Sequence, residues 1–276
     1  MNIKKKLLHQ KKLTGLSIVY LLLRLSVVLV IIDQIRSRDY ENIFLCILTL
    51  ILFMIPSFIE KRIHIDIPDT LEIIILLFIF SAEILGEINS YYLIFPYWDT
   101  TLHTLNGFLA AAIGLSLIDI LNKNDRFAIS LSPVFVALVA FCFSMTIGVV
   151  WEMFEFSMDQ FLGFDMQKDT YINAFNTVLL NSDKRNVPVK VFVDSLSVNG
   201  QVWSSYIDIG LIDTMMDLFV NFIGAVVFST FGYFYVKHRG KDHFLKRFIL
   251  KSNIQANAKS KKDQEDLDQT QQVKNS

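Results

Sequence analysis

The chain has 276 residues, of which 53% are hydrophobic and only 19% are charged. This composition excludes an ordinary soluble globular domain, because the apolar residues gather in blocks of about 18 or more, the length an α-helix needs to cross a bilayer. The net charge of −1 says nothing about partners, since only the positions of basic residues matter in a membrane protein. We therefore predict an all-α, polytopic transmembrane helical bundle.

The apolar blocks predict about six membrane-spanning helices within a membrane domain that covers residues 14–236. The first block follows a lysine-rich start, but it is too long for a signal peptide and lacks a small-residue cleavage site. The predicted spans are residues 14–32, 42–59, 70–88, 101–121, 133–156 and 211–236.

Basic residues alternate between the connections, which predicts how the chain is oriented. The basic segments are residues 1–13, Lys61 with Arg62, Lys123 with Arg126, and a tail over residues 237–276 that begins with Lys237. Because cytoplasmic connections carry an excess of Lys and Arg, we expect both termini to be cytoplasmic. The long connection at about 160–210 is then extracellular.

Two segments outside the spans have patterns of their own. Residues 252–276 are rich in Lys, Gln, Asp and Asn, which predicts a disordered end to the cytoplasmic tail. In the extracellular loop, residues 187–193 and 196–202 alternate apolar and polar side chains around Asn199-Gly200. That alternation favours a small hairpin or cap over the membrane domain.

Ionisable residues occur inside four of the predicted spans, where a charge costs on the order of 3 kcal/mol. Each set has helical spacing and so lies along one face of its helix. The predicted orientation places all four sets in the outer third to half of the bilayer, which predicts one site that is open outward and closed below. The sets are Glu83 and Glu87; Asp99, His103 and Asn106; Glu152, Glu155 and Asp159; and Asp213, Asp217 and Asn221.

Structural explanations exist for part of this set. A carboxylate in the headgroup region costs little, and that explanation could apply to Asp99, Glu155, Asp159 and Asp213. The deeper residues, which favour a functional role, are His103, Glu152 and Asp217. Arg24 lies at a depth comparable to that of Glu83, so these two could form a buried ion pair. The tryptophans and tyrosines near the outer surface are most simply an interfacial aromatic belt.

So many acids in one low-dielectric layer need either a cation or bound protons, because like charges repel strongly there. Carboxylates with one imidazole suit a divalent ion such as Mg²⁺, Mn²⁺ or Ca²⁺, and Zn²⁺ or an iron pair stays open. We expect His103, Glu152 and Glu155 to be catalytic. The expected metal ligands are Asp99, His103, Glu152, Glu155, Asp213 and Asp217.

Three classes of function fit such a site. A metal beside the headgroups would serve hydrolysis or transfer on a membrane lipid or another envelope substrate. Bound protons would instead make the cluster a relay of a cation or proton-coupled transporter, although neither repeated halves nor broken helices are evident. A non-catalytic membrane assembly protein is the third class. The sequence has no Gly-rich phosphate-binding loop, and it has no basic-aromatic surface of the kind that binds nucleic acid, so we expect no nucleic-acid partner.

Three sequence blocks resemble the YjdF-like group of predicted bacterial inner-membrane proteins. Residues 98–103 read Trp-Asp-Thr-Thr-Leu-His, residues 151–156 read Trp-Glu-Met-Phe-Glu-Phe, and residues 213–217 read Asp-Thr-Met-Met-Asp. The resemblance implies a bacterial cytoplasmic-membrane location and no particular activity, and Glu83 and Glu87 have no counterpart in it. It marks as the group's polar set Asp99, His103, Glu152, Glu155, Asp213 and Asp217.

Overall fold

A computed structural model describes residues 15–63, 65–122, 131–238 and 245–252 of the chain. The predicted basic N-terminus over residues 1–13, the basic pair Lys123 and Arg126, and residues 253–276 of the predicted tail lie outside the described residues. Most of the described chain is helical, as predicted. The α-helices are α1 (Gly15–Ser37), α2 (Tyr40–Leu52), α3 (Ile55–Ile63), α4 (Asp69–Phe80), α5 (Tyr91–Ile94), α6 (Trp98–Asn122), α7 (Pro133–Leu162) and α8 (Leu211–Lys237).

Within the described ranges, five helices are long and apolar enough to cross a membrane. They are Gly15–Ser37, Tyr40–Arg62, Trp98–Leu121, Pro133–Leu162 and Leu211–Lys237. The second of these combines α2 with α3, which follows it after a short turn. The remaining predicted span, residues 70–88, is helical but not uniform, because α4 continues directly into a π-helix over Ser81–Ile88, hereafter the π segment. A π-helix is wider than an α-helix and is common at functional sites.

The sequence explains where the longest helix begins and ends. The side chain of Ser132 accepts a hydrogen bond from the Phe135 amide at 3.2 Å, and Pro133 follows as the first helical residue. A serine N-cap followed by proline is a strong start signal, because both satisfy or remove amides that lack a partner. The α7 helix ends at Gly163, whose φ of 72° lies in the left-handed region that favours glycine.

The outward surfaces of the long helices carry large apolar side chains. On α1, Leu21, Leu22 and Leu29 are each 59% exposed, and Val27 is its buried residue. Such a continuous apolar exterior would drive aggregation in water but matches the hydrocarbon of a bilayer. Helix length and surface chemistry therefore agree that these helices face lipid.

The helices form two packed sets. The C-terminal bundle consists of α6, α7 and α8, and residues such as Leu115, Ala140 and Phe228 form its core. The N-terminal group consists of α1, α2, α4 and the π segment, which pack around Val27 and Leu76. The polar residues predicted in spans four to six all belong to the C-terminal bundle.

The α6 and α8 helices cross at two glycines. A Cβ atom on Gly107 would lie 2.0 Å from the Asn221 carbonyl oxygen, and one on Gly224 would lie 2.0 Å from the Thr104 carbonyl oxygen. No side chain fits at either position, so glycine permits the two backbones to touch. The Ser144 hydroxyl ties α7 to the same place by donating to the Gly107 carbonyl at 2.7 Å.

Short antiparallel strand pairs fold the connection between α7 and α8. The pairs are β2 (Thr170–Ile172) with β7 (Tyr206–Asp208), β3 (Ala174–Thr177) with β4 (Val189–Phe192), and β5 (Leu196–Val198) with β6 (Gln201–Trp203). The predicted hairpin around Asn199-Gly200 is confirmed as β5 and β6, with positive φ at both turn residues. Residues 187–193 do not join it, because β4 pairs with β3.

The opposite end of the membrane domain is closed by a segment from beyond α8. Strand β1 (Ile65–Asp66) pairs with β8 (Lys251–Ser252), after a 3₁₀ turn at Leu245–Arg247. The Leu250 amide donates to the Ser116 hydroxyl of α6 at 3.0 Å, and its side chain is buried. Residues 245–250, which fall in the predicted basic part of the tail, thus pack against the bundle.

Candidate metal centre

His103 lies where the three helices of the C-terminal bundle meet. Its Nε2 atom is 3.3 Å from an Asp99 carboxyl oxygen on α6 and 3.9 Å from an Asp217 oxygen on α8. Its Nδ1 atom is 3.6 Å from a Glu152 oxygen on α7. One buried imidazole therefore has carboxyl groups from all three helices around it.

Glu152 is the least satisfied member of this set. Its side chain is buried, and neither of its carboxyl oxygens has a hydrogen-bond partner within 3.5 Å, although the Thr214 side chain lies near enough to interact with the carboxyl group. One turn further along α7, the carboxyl group of Glu155 is also buried but accepts a hydrogen bond from the Trp151 indole at 2.9 Å. A buried carboxyl group without a partner is rare and needs an explanation such as a bound ion.

Two overlapping sets of ligand atoms are compact enough to hold one ion. Within Asp99, His103 and Asp217, and within His103, Glu152 and Glu155, one ligand atom from each residue lies within 4.8 Å of the others. We call these five residues the His103 cluster. Two ligand atoms that each lie about 2.0–2.6 Å from a shared ion cannot be more than about 5 Å apart, and the ligand atoms of both sets meet this limit.

Asp213 lies at the edge of the His103 cluster. Together with Asp99, Glu155 and Asp217 it lines one small space, which Glu87 also borders. One carboxyl oxygen of Asp213 already accepts a hydrogen bond from the Lys168 amide at 2.8 Å. The structure therefore brings all six predicted ligands close together, with Asp213 shared between the cluster and the loop.

Residues 165–168, hereafter the cover segment, fold back over this space. The amides of Met166 and Gln167 donate to the Asp159 carboxylate at 2.7 and 2.9 Å, and the Gln167 side chain donates to the Thr214 hydroxyl at 2.5 Å. The site is thus covered, which differs from the predicted cavity open to the outside. Asp159, predicted with the polar face of α7, anchors the cover segment instead.

Lys168 supplies a positive charge at the rim of the site. Its Nζ atom lies 3.6 Å from a Glu87 carboxyl oxygen and 6.0 Å from the centre of the Tyr92 ring. It lines the same small space as the acids. Lys168 was not among the predicted site residues, because it lies in a connection between helices. Asp159 and Asp213, the acids at the two helix ends that this connection joins, were the sequence feature that could have indicated a basic residue nearby.

Glu83 lies on the π segment, outside the His103 cluster. It is 2% exposed, and its Oε2 atom has no hydrogen-bond partner. The proposed ion pair with Arg24 is absent from the described residues; the Arg24 guanidinium instead lies 4.8 Å from the centre of the Tyr20 ring. The structure therefore leaves this buried acid unexplained by packing alone.

Amide and indole groups support the site from below and from the side. The Asn106 side chain donates to the Asn221 side-chain oxygen at 3.0 Å, and Asn221 is fully buried. Trp98 donates to the Ser81 carbonyl at 3.2 Å, so it ties α6 to the π segment. Trp98 and Trp151, predicted as part of an interfacial belt, thus have hydrogen bonds that position neighbouring site elements.

Comparison with known proteins places the chain in a family. It belongs to the family described as "Predicted membrane protein (DUF2238)", which matches residues 18–238 and so includes both helix sets and the whole site. It is also similar to an "Uncharacterized protein" from Thermotoga maritima, at 29% identity over 133 residues. That match covers 48% of this chain and 66% of the relative's own length. No solved structure matches the chain.

Proposed function

We propose that this membrane protein binds a divalent metal ion at the His103 cluster and uses it for hydrolysis or transfer on a lipid or another envelope substrate. The observation that carries the proposal is the convergence of carboxyl oxygens of Asp99 and Asp217 on the His103 Nε2 atom, at 3.3 and 3.9 Å, beside the buried Glu152 carboxyl group, which lies 3.6 Å from His103 Nδ1. A bound cation would neutralise the negative charge of the carboxyl groups around His103.

The distances favour one arrangement of roles within the cluster. Asp99 and Asp217 both face the Nε2 atom of His103, so these three residues form the proposed ligand set. Glu152 faces the other ring nitrogen and would orient the imidazole by accepting its Nδ1–H, as carboxylates commonly do behind metal-bound histidines. This assignment is narrower than the six ligands predicted from the sequence.

The remaining acids suit the chemistry. A divalent ion in this site would polarise a phosphoryl or carbonyl oxygen and activate a bound water. Glu155, which borders the same small space as Asp99 and Asp217, would accept the proton of that water. An oxygen-rich set with one imidazole suits Mn²⁺ or Zn²⁺ better than Ca²⁺, because Ca²⁺ takes oxygen ligands.

The same proposal includes a topology with six spans, cytoplasmic termini and a site near the outer leaflet of a bacterial cytoplasmic membrane. The sixth crossing would be α4, whose 12 residues extend about 18 Å at 1.5 Å per residue, continued by the 8 residues of the π segment. The YjdF-like resemblance supports this location. Membrane lipid is the partner that such a site would meet first.

Packing beneath the cluster favours an enzyme over a transporter. In the described part of the bundle, the layer on the inner side of Asn221 is mostly apolar, with Leu109, Ala112, Leu115 and Phe228 buried. Its buried polar side chains are those of Ser116, Asp119 and Ser229. A cation or proton pathway needs polar groups or water through such a layer. Transport would give ion-dependent flux in sealed vesicles, whereas an enzyme would turn over its substrate in detergent.

Elemental analysis of the purified protein tests the metal site. We expect about one divalent ion per chain in the wild type and none in His103→Ala, while Glu152→Gln weakens metal affinity by roughly 10–100-fold. The matched control is Glu72→Gln, which changes a buried acid of α4 that is hydrogen-bonded to Tyr20. Equal metal content in all four proteins contradicts the proposal and leaves the transporter and assembly functions.

A further inference from the structure

A cavity of about 130 Å³ adjoins His103 on the side of the N-terminal group. Its walls are largely apolar and come from α2, α4, the π segment and α6, through Leu52, Phe78, Ile79, Ala82 and Leu102. A volume equal to about four water molecules is too large for a packing defect, and these walls offer water few partners. The cavity therefore suits an aliphatic group.

The cavity also has a polar end. His103 and Asn106 line it from α6, and Glu83 lines it from the π segment. Glu83 is the buried acid whose Oε2 atom lacks a hydrogen-bond partner, so a ligand in the cavity would meet an unsatisfied group. A hydroxyl fits this group in either protonation state, because it both donates and accepts hydrogen bonds.

The far wall of the cavity borders the surface that faces lipid. Leu52 and Phe78 are half-buried, and their chain neighbours Ile51 and Leu77 are 55% and 47% exposed. These apolar side chains lie on α2 and α4, where the membrane-facing exterior of the N-terminal group begins. The cavity wall thus lies next to side chains that face the lipid.

We propose that the cavity binds the hydroxyl-bearing end of the aliphatic chain of a membrane amphiphile, and that this hydroxyl group hydrogen-bonds to Glu83 beside His103. The inference deepens the proposed function and rests on it, since it names the class of substrate for the metal centre. The chain occupies the wall formed by Leu52, Phe78 and Ala82. The hydroxyl lies between the π segment and α6, next to the cluster.

Photolabelling tests this binding. A long-chain alcohol with a diazirine in its chain is incorporated into lipid nanodiscs that hold the purified full-length protein, and the labelled peptides are identified by mass spectrometry. We expect label on the α2 and α4 walls, and we expect 1-dodecanol to compete about tenfold better than dodecane, the value of one good hydrogen bond. Equal competition by the two compounds overturns the proposal.

Substitutions test separately the contribution of the apolar wall and that of the polar end of the cavity. Ala82→Trp, in the π segment, fills the cavity and should abolish labelling, whereas Leu77→Trp, on the exposed face of the adjoining α4, should not. Glu83→Leu should keep the label and lose the preference for the alcohol. Labelling that persists unchanged in Ala82→Trp, or an alcohol preference that survives Glu83→Leu, contradicts the proposal.

Metal content measured on the same samples distinguishes failure of this inference from failure of the proposed function. Labelling with alcohol preference supports the cavity whatever the metal content. A wild-type protein that holds metal but gives no label on α2 or α4 overturns the cavity and leaves the metal centre. Absence of both signals overturns both.

Discussion

Two buried acids in the two helix sets have nearly the same exposure and opposite surroundings. Glu72 in the N-terminal group is 3% exposed, and its carboxyl oxygen accepts a hydrogen bond from the Tyr20 hydroxyl at 2.5 Å. Glu152 in the C-terminal bundle is 4% exposed and has no hydrogen-bond partner. Burial alone thus does not mark a site; the missing partner does, because an unsatisfied buried acid is unstable unless a ligand completes it.

The largest expected effect concerns the closest helix contact. Gly224→Leu should prevent α8 from packing on α6, because its side chain would overlap the Thr104 carbonyl, and should destabilise the fold by more than about 3 kcal/mol. The control in the N-terminal group is Gly15→Leu, where nothing lies within 4 Å of an added Cβ. Thermal unfolding in detergent compares them, and similar melting temperatures would refute the close crossing.

A smaller effect is expected when the satisfied acid loses its partner. Tyr20→Phe removes the hydrogen bond to Glu72 and should lower the free energy of unfolding by about 1–3 kcal/mol. Bound metal should stay at the wild-type level, because Tyr20 is not part of the His103 cluster. Metal loss in a folded Tyr20→Phe protein would mean that the two helix sets do not have the separate roles described here.

The unsatisfied acid should respond in the opposite way. Glu152→Leu replaces a buried group without a partner, so in metal-free protein it should leave stability unchanged or raise it by about 1–2 kcal/mol. The same change should remove high-affinity metal binding. Unfolding of wild type and variant in chelator checks the first expectation, and a clear loss of stability there would show that Glu152 has a structural partner.

The smallest effect is expected at the cover segment. Lys168→Met removes a partly exposed ion pair with Glu87 and should change the free energy of unfolding by less than about 1 kcal/mol. Metal release to a chelator should become several-fold faster, because the cover loses its contact with the π segment. Lys190→Met, in strand β4, is the control and should release metal at the wild-type rate.

Much of the membrane domain could be predicted because helix length and periodicity depend on local sequence. The helical spacing of Asp99 and His103 and of Asp213 and Asp217 predicted shared faces, and the structure brings these faces together around one imidazole. Because successive spans run in opposite directions, the positions of the polar residues along the spans predicted that all of them lie at a similar depth in the bilayer. These features follow from 1.5 Å of rise per residue and from the thickness of a bilayer.

The cover segment and the π segment could not be predicted in this way. The cover is formed by hydrogen bonds from Met166, Gln167 and Lys168 to acids at two helix ends, and no periodic pattern encodes those contacts. The change from α-helix to π-helix at Ser81 occurs inside one continuous predicted span, residues 70–88, where the sequence pattern shows no helix end. Both features depend on side chains that are distant in sequence, which is where reasoning from local pattern ends.

The central claim is that one imidazole from α6 and carboxyl groups from α6 and α8 bind a single metal ion. X-ray absorption spectroscopy of protein loaded with Mn²⁺ or Zn²⁺ tests it most directly. We expect a first shell of oxygen atoms with one imidazole nitrogen, and we expect the imidazole signal to disappear in His103→Ala and to persist in His238→Ala. An imidazole signal that survives His103→Ala, or a shell without imidazole in the wild type, would contradict it.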